Sequence, residues 1–398
     1  MYTTKIEQQT QVLFFVALSL ALFGTLYKLS FWPGHGFLAE CIALLGLFLV
    51  LCRFIAVLYS MPIKYTLIVI FMCPFILYTC TQVHEKTYIL YPFLFCVSAW
   101  NVNFRSIIKV FFLINLVFLF VTIASSLIGI IENKSYFREE MNLVDAVQTQ
   151  RLRVRYCFGY NYTTAVAAHI TYLHLMWWYL RGGVLKYFDY FALILSICFV
   201  DYYCHARTEV GCMILIILFS IYYKYRVLQV NNLSWIEYVY FTFSVPFFAI
   251  LTLFLEYQYI YGSDELYEYI NIVLSGRLSL GADALLTKGI KWFGQIYIQH
   301  GAGSGVLYNF IDSSYLVWLI IYGKFFFISA IVLFVVICYK SLRLGHCLVA
   351  IIISILAIDS FIVSIFLTIS FNPFFMAMFA NMTDNLESAS LNVKLLYA

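Results

Sequence analysis

Apolar runs closed by short polar intervals repeat along almost the whole chain. They occupy residues 11–27, 36–52, 64–81, 88–100, 107–131, 163–180, 186–200, 210–223, 235–255, 324–339 and 347–370. A helix needs about 20 residues to cross a hydrocarbon core of roughly 30 Å, and most of these runs are long enough. The pattern predicts an all-α polytopic membrane protein with about eleven transmembrane helices (10–12) and a further partial one near 371–380. A single integral membrane domain would then cover 1–398. The first run follows Lys5, but no small-residue cleavage site follows it, so it reads as an uncleaved first helix.

Two polar intervals are much longer than the rest, at about 132–162 and 256–324. Lys and Arg alternate between the short ones. One set holds Lys5, Arg53, Lys64, Arg105, Lys109, Arg181, Lys186, Lys224, Arg226, Lys340 and Arg343; the opposite set holds Lys28, Lys86 and Arg207. Positive short loops stay cytoplasmic, which predicts an N-terminus inside and both long loops outside. Residues 315–322 are apolar but short, and Gly323-Lys324 interrupts them, which predicts a helix over 312–322 lying at or re-entering the outer interface, with Lys324 outside.

Composition agrees. The chain of 398 residues is 64% hydrophobic and 11% charged, with a mean hydropathy of +0.90. A soluble protein of this size cannot hide that much apolar surface, whereas lipid solvates it. The net charge of +4 implies no nucleic-acid partner. The eleven cysteines sit almost entirely inside apolar runs, with no CxxC or Cys/His metal spacing, and read as small apolar side chains.

The long loops carry the candidate chemistry. Arg151, Arg153 and Arg155 alternate, so an extended segment would put three guanidiniums on one side. Guanidinium forks match phosphate oxygens bidentately; a juxtamembrane patch touching headgroups is the competing reading. Asn161-Tyr162-Thr163 fits a glycosylation sequon. Arg207 is either a snorkelling anchor, a further cation on the same outer cavity, or the ion partner of Asp201 and Glu209. The second loop holds Asp264, Glu265, Glu268, Leu274-Ser-Gly-Arg277-Leu278, His300, Gly301-Ala-Gly303-Ser-Gly305 and Asp312-Ser-Ser-Tyr315-Leu316. Its tyrosines suit a headgroup belt or a platform for sugar rings. Asp312 is either a helix N-cap or a general base, with His300, Asp264 and Glu265 as substitutes for the base.

In order, Arg155-xxx-Gly159-Tyr160, Ala206-Arg207-Thr208, Leu274-Ser-Gly-Arg277-Leu278 and Gly303-x-Gly305 with Asp312-xx-Tyr315-Leu316 and Gly323 resemble the motifs of Wzy-type O-antigen and capsule polysaccharide polymerases. The likeness covers the layout from about residue 10 to 375. Many relatives carry His-Pro-Asn after the Gly-aromatic pair, where this chain has Asn161-Tyr162-Thr163. The related ligases carry His-Asn ahead of Tyr-Leu, where this chain has Asp312. The resemblance implies a multi-pass glycosyltransferase of the bacterial cytoplasmic membrane. Such an enzyme joins oligosaccharide units held on undecaprenyl pyrophosphate at the outer face, with the lipid pyrophosphate as leaving group and no cofactor or metal. It implies Arg277 and Asp312 as catalytic residues, and Arg151, Arg153, Arg155, Arg207, Tyr160 and Tyr315 as substrate-binding. It also leaves room for a partner that regulates chain length. The alternatives are an O-antigen ligase and a lipid-linked oligosaccharide flippase, for which charges buried within spans would speak.

Overall fold

A computed structural model describes residues 2–34, 36–142, 147–230, 233–262, 264–301 and 308–382. Among these, eight helices are long and apolar enough to cross a membrane. They are α1 (Tyr2–Lys28), α2 (Phe37–Ser60), α3 (Ile63–Gln82), α5 (Phe104–Leu127), α7 (Tyr187–Phe199) with its π-helical extension Val200–Cys204, α8 (Arg207–Tyr222) with the π turn Tyr223–Val227, α10 (Trp235–Tyr261) and α14 (Gly323–Arg343). Two apolar helices are shorter, α4 (Thr87–Ser98) and α15 (Cys347–Ser360). The bundle also holds α6 (Thr163–Leu180), buried on most sides, and the single turn α9 (Leu228–Val230).

The outward faces confirm the solvent. Leu44 and Phe48 on α2, Leu67 and Phe71 on α3, Phe120 on α5, and Phe247 and Ile250 on α10 are all exposed. Continuous apolar surface of this kind belongs in lipid rather than water. Between helices, where lipid tails supply no hydrophobic drive, small residues allow close approach. Ala17 and Ala21 on α1 receive Gly46 of α2, and a Cβ at Gly46 would stand 2.8 Å from the Ala21 nitrogen.

One end of the bundle gathers the basic residues. Arg53 donates to the Trp100 carbonyl at 3.1 Å, and Arg105 donates to the Leu180 carbonyl. Arg181 pairs with Asp189 at 3.1 Å, Arg226 with Glu237 at 2.9 Å, and the Lys340 ammonium donates to the Met378 carbonyl at 2.8 Å. Gln11 near the start of α1 reaches the Asn101 carbonyl at this same end.

The opposite end carries the long loops. The first forms an antiparallel hairpin, β1 (Ser135–Asn142) with β2 (Val147–Tyr156), with a bulge between Glu139 and Glu140, so the stretch that holds Arg151, Arg153 and Arg155 is extended. The apolar run 347–370 is not one helix: α15 stops at Ser360. The chain then returns through the bundle without regular helix to a 3-10 turn at Phe374–Met378 and reaches the basic end, where the Asn381 nitrogen donates to the Val102 carbonyl at 2.8 Å. Irregular backbone at membrane depth is tolerated only inside protein. Phe366 to Ala377 are buried, and side chains satisfy freed groups: Ser314 Oγ donates to the Val363 carbonyl at 2.6 Å and Asn372 Oδ1 accepts from the Phe374 nitrogen at 2.9 Å.

In the second loop, α11 (Glu265–Val273) and α12 (Arg277–Lys288) form a short helical pair. The segment at 312–322 is helical only from Ser314, as α13 (Ser314–Leu316) with the π turn Val317–Ile321, and from residue 313 on it is buried rather than lying on the surface. Lys324 sits over the Trp292 ring, 5.3 Å from its centroid.

Candidate functional site

Local sequence aims the second loop back at the bundle. Asp264 caps α11, its side chain accepting from the Leu266 nitrogen at 3.0 Å. Ser275 and Gly276 both take left-handed φ values, 61° and 80°, and turn the chain from α11 into α12. Asn271 Oδ1 then accepts from the Ser279 nitrogen at 3.1 Å and locks the turn. The first residue of α12 is Arg277, whose Nε donates to Asp312 Oδ2 at 3.0 Å, with both side chains about a quarter exposed. The position capping α13 belongs to Ser313, so Asp312 spends this carboxylate oxygen on the guanidinium instead of on the helix end.

Arg277 and Asp312 line a cavity of about 20 Å3, together with Thr252, Glu256, Ser313 and Leu316. That is room for one water molecule. Glu256, near the end of α10, is only 2% exposed. Its Oε2 has no hydrogen-bond partner among the described residues. The neighbouring α12 presents Gly281 to it, where a Cβ would lie 2.3 Å from Oε1.

The first loop reaches the same neighbourhood. Arg155 is half-buried and its Nε donates to the Cys204 carbonyl at 2.8 Å, fastening β2 to the π turn after α7. Arg153 is exposed. Both lie close to His205, and partial burial followed by their two positive charges holds that imidazole below its usual range. Tyr308 joins the loops electrostatically. Burial and then the Asp312 carboxylate push its hydroxyl up, while Arg277 and Arg155 pull it back. The two loops touch at Gly301, where Tyr162 of the first loop brings its hydroxyl against the glycine backbone of the second.

Other residues singled out by sequence fall elsewhere. Arg207 opens α8 and is exposed. Glu209 turns inward, and among the described residues no ion pair joins Arg207 to it or to Asp201. Tyr160 is fully buried with its hydroxyl 2.8 Å from His169 Nδ1. Tyr315 is fully buried and donates to the Ala357 carbonyl at 2.9 Å. These two tyrosines pack the core beneath the loops and present no face to the cavity. Arg151 belongs to β2, but its side chain lies outside the described residues, as do Gly303 and Gly305.

Sequence reasoning missed the acidic interior. Glu209, Asp359 and Tyr172 are 1%, 2% and 0% exposed. The Cys212 thiol donates to Asp359 Oδ1 at 3.3 Å. Neither Glu209 oxygen, nor Asp359 Oδ2, nor the Tyr172 hydroxyl has a hydrogen-bond partner among the described residues. The Thr171 hydroxyl beside Glu209 gives its proton to the Ala167 carbonyl at 3.0 Å. Arg277 is within electrostatic reach of both carboxyls. Carboxyls inside a membrane bundle are costly to keep and mark working sites.

Comparison with family models, with curated proteins and with solved structures finds no match for this chain. Function therefore has to be argued from the residues.

Proposed function

We propose that the protein is a polysaccharide repeat-unit polymerase of the Wzy type. It would use oligosaccharides linked to undecaprenyl pyrophosphate at the outer face of the bacterial cytoplasmic membrane. The observation that carries this reading is the Arg277–Asp312 pair, a guanidinium held at 3.0 Å by a carboxylate in the lining of a cavity, with half-buried Arg155 on the first loop, whose Tyr162 packs against Gly301 of the second. With short basic loops cytoplasmic, the basic end faces inward, the N-terminus lies inside, and about eleven spans carry both long loops outward.

The reaction breaks a sugar–pyrophosphate bond, so negative charge builds on the leaving oxygen. Positioned guanidiniums stabilise that charge. Arg277, oriented by Asp312, takes the pyrophosphate of the donor, and Arg155 with Arg153 takes the acceptor's pyrophosphate. The cavity, at about 20 Å3, has room for a water but not for a sugar ring, so the sugars would lie over its mouth, against the loop tyrosines. Deleting the protein should leave a surface glycan of single repeat units, or accumulated lipid-linked single units. Arg277→Ala should fail to restore long chains while still inserting. Full-length chains in the deletion strain would refute the reading.

Glu209 and Asp359 favour a second reading, a lipid-linked oligosaccharide flippase, because such proteins use carboxyls buried within spans. The two separate by where units collect: a flippase deletion leaves them on the cytoplasmic leaflet, a polymerase deletion on the outer one.

A further inference from the structure

The polymerase reading leaves one proton unassigned, the one that the acceptor hydroxyl loses. Asp312 is poorly placed to take it, because Oδ2 is already engaged by the Arg277 guanidinium at 3.0 Å. Asp264 caps α11. Glu265 and Glu268 stand on the solvent side of α11, both exposed. Glu209 and Asp359 lie among Cys212 and Tyr172, and neither lines the cavity. Glu256 differs from all of these. It is buried, it lines the cavity shared with Arg277 and Asp312, and among the described residues Oε2 has no hydrogen-bond partner. Gly281 packs against it, and a Cβ there would lie 2.3 Å from Oε1.

We infer that Glu256 is the general base of the reaction, receiving the acceptor's proton through the single water that the cavity admits. The inference rests on the polymerase reading. In the step, the acceptor O–H bond breaks and its oxygen bonds to the donor's anomeric carbon. The bond from that carbon to the pyrophosphate oxygen breaks, and the polyprenyl pyrophosphate leaves with the electron pair. The proton passes by way of the water to Glu256 Oε2, and from there to bulk water when product leaves. A carboxyl group lining a water-sized cavity, with one oxygen unpartnered among the described residues, suits a base working within one water of its proton.

The test uses the full chain, purified into lipid nanodiscs, with lipid-linked single units extracted from the deletion strain. Joined units and released polyprenyl pyrophosphate are both counted. Glu256→Gln should lower kcat by roughly 10²–10⁴-fold, the usual contribution of a general base, with KM within about threefold of wild type, since binding is kept. Glu256→Asp should restore part of the rate. A Glu256→Gln enzyme within tenfold of wild type overturns the assignment and leaves the polymerase reading standing. A wild-type protein that joins no units overturns both. Should Glu256→Gln not accumulate in the membrane, wild type is treated with an apolar carbodiimide and the modified residues are mapped by peptide mass. Inactivation should follow modification of Glu256 and be slowed by the lipid-linked unit; inactivation that follows another residue contradicts the proposal.

Discussion

The Arg277–Asp312 contact is where residue chemistry is most exposed to experiment. A planar guanidinium held at Nε by a carboxylate keeps its two terminal nitrogens for other oxygens, which is what a pyrophosphate needs. In this account Asp312 sets the direction of Arg277 and does not move a proton. Asp312→Asn keeps an oxygen that can accept from Nε but removes the charge. Partly exposed ion pairs contribute about 0.2–1 kcal/mol, so the expected loss in kcat/KM is about tenfold or less, with tenfold corresponding to about 1.4 kcal/mol. Kinetics on nanodisc-embedded protein check this. A loss beyond about 10²-fold would return Asp312 to the role of base and displace Glu256.

At the scale of elements, the site depends on how closely α12 lies on α10. Gly281 permits that approach; a Cβ there would stand 2.3 Å from Glu256 Oε1 and 2.6 Å from Leu316 Cδ1, so both buried side chains must shift. Gly281→Ala should therefore insert with about 1–3 kcal/mol lost to overpacking, while displacing the Glu256 carboxyl and lowering chain elongation more than tenfold. Wild-type glycan lengths from this variant would show that the α10–α12 contact does not set the site. Much of this element structure was legible beforehand. Apolar length marked the helices, since lipid leaves a chain few ways to bury its backbone polar groups. The alternation of Arg151, Arg153 and Arg155 marked an extended strand. Hydropathy could not see that α15 ends at Ser360, because residues 361–370 are as apolar as a helix and are buried as irregular chain. Glu256 looked like the first polar residue of a loop and Glu209 like a partner for Arg207. Which way a carboxylate points at a helix end is decided by tertiary packing, so both were illegible. The burial of Tyr160 and Tyr315 was illegible for the same reason, as one-dimensional position does not distinguish a core tyrosine from one on a mouth.

At the scale of the molecule, the protein is polar along its bundle axis. One end ties helix termini together through Arg53, Arg105, Arg181 and Lys340; the other gathers the loops, the Arg277–Asp312 pair and the buried carboxyls. Chemistry at one end suits a substrate that is itself asymmetric, a lipid in the bilayer bearing a sugar outside it. The most direct measurement is made on wild-type protein reconstituted in liposomes with lipid-linked single repeat units and no other protein. The account predicts glycans of two and more units, with one polyprenyl pyrophosphate released per bond formed. Units that cross the bilayer and stay single, with no pyrophosphate carrier released, would contradict it.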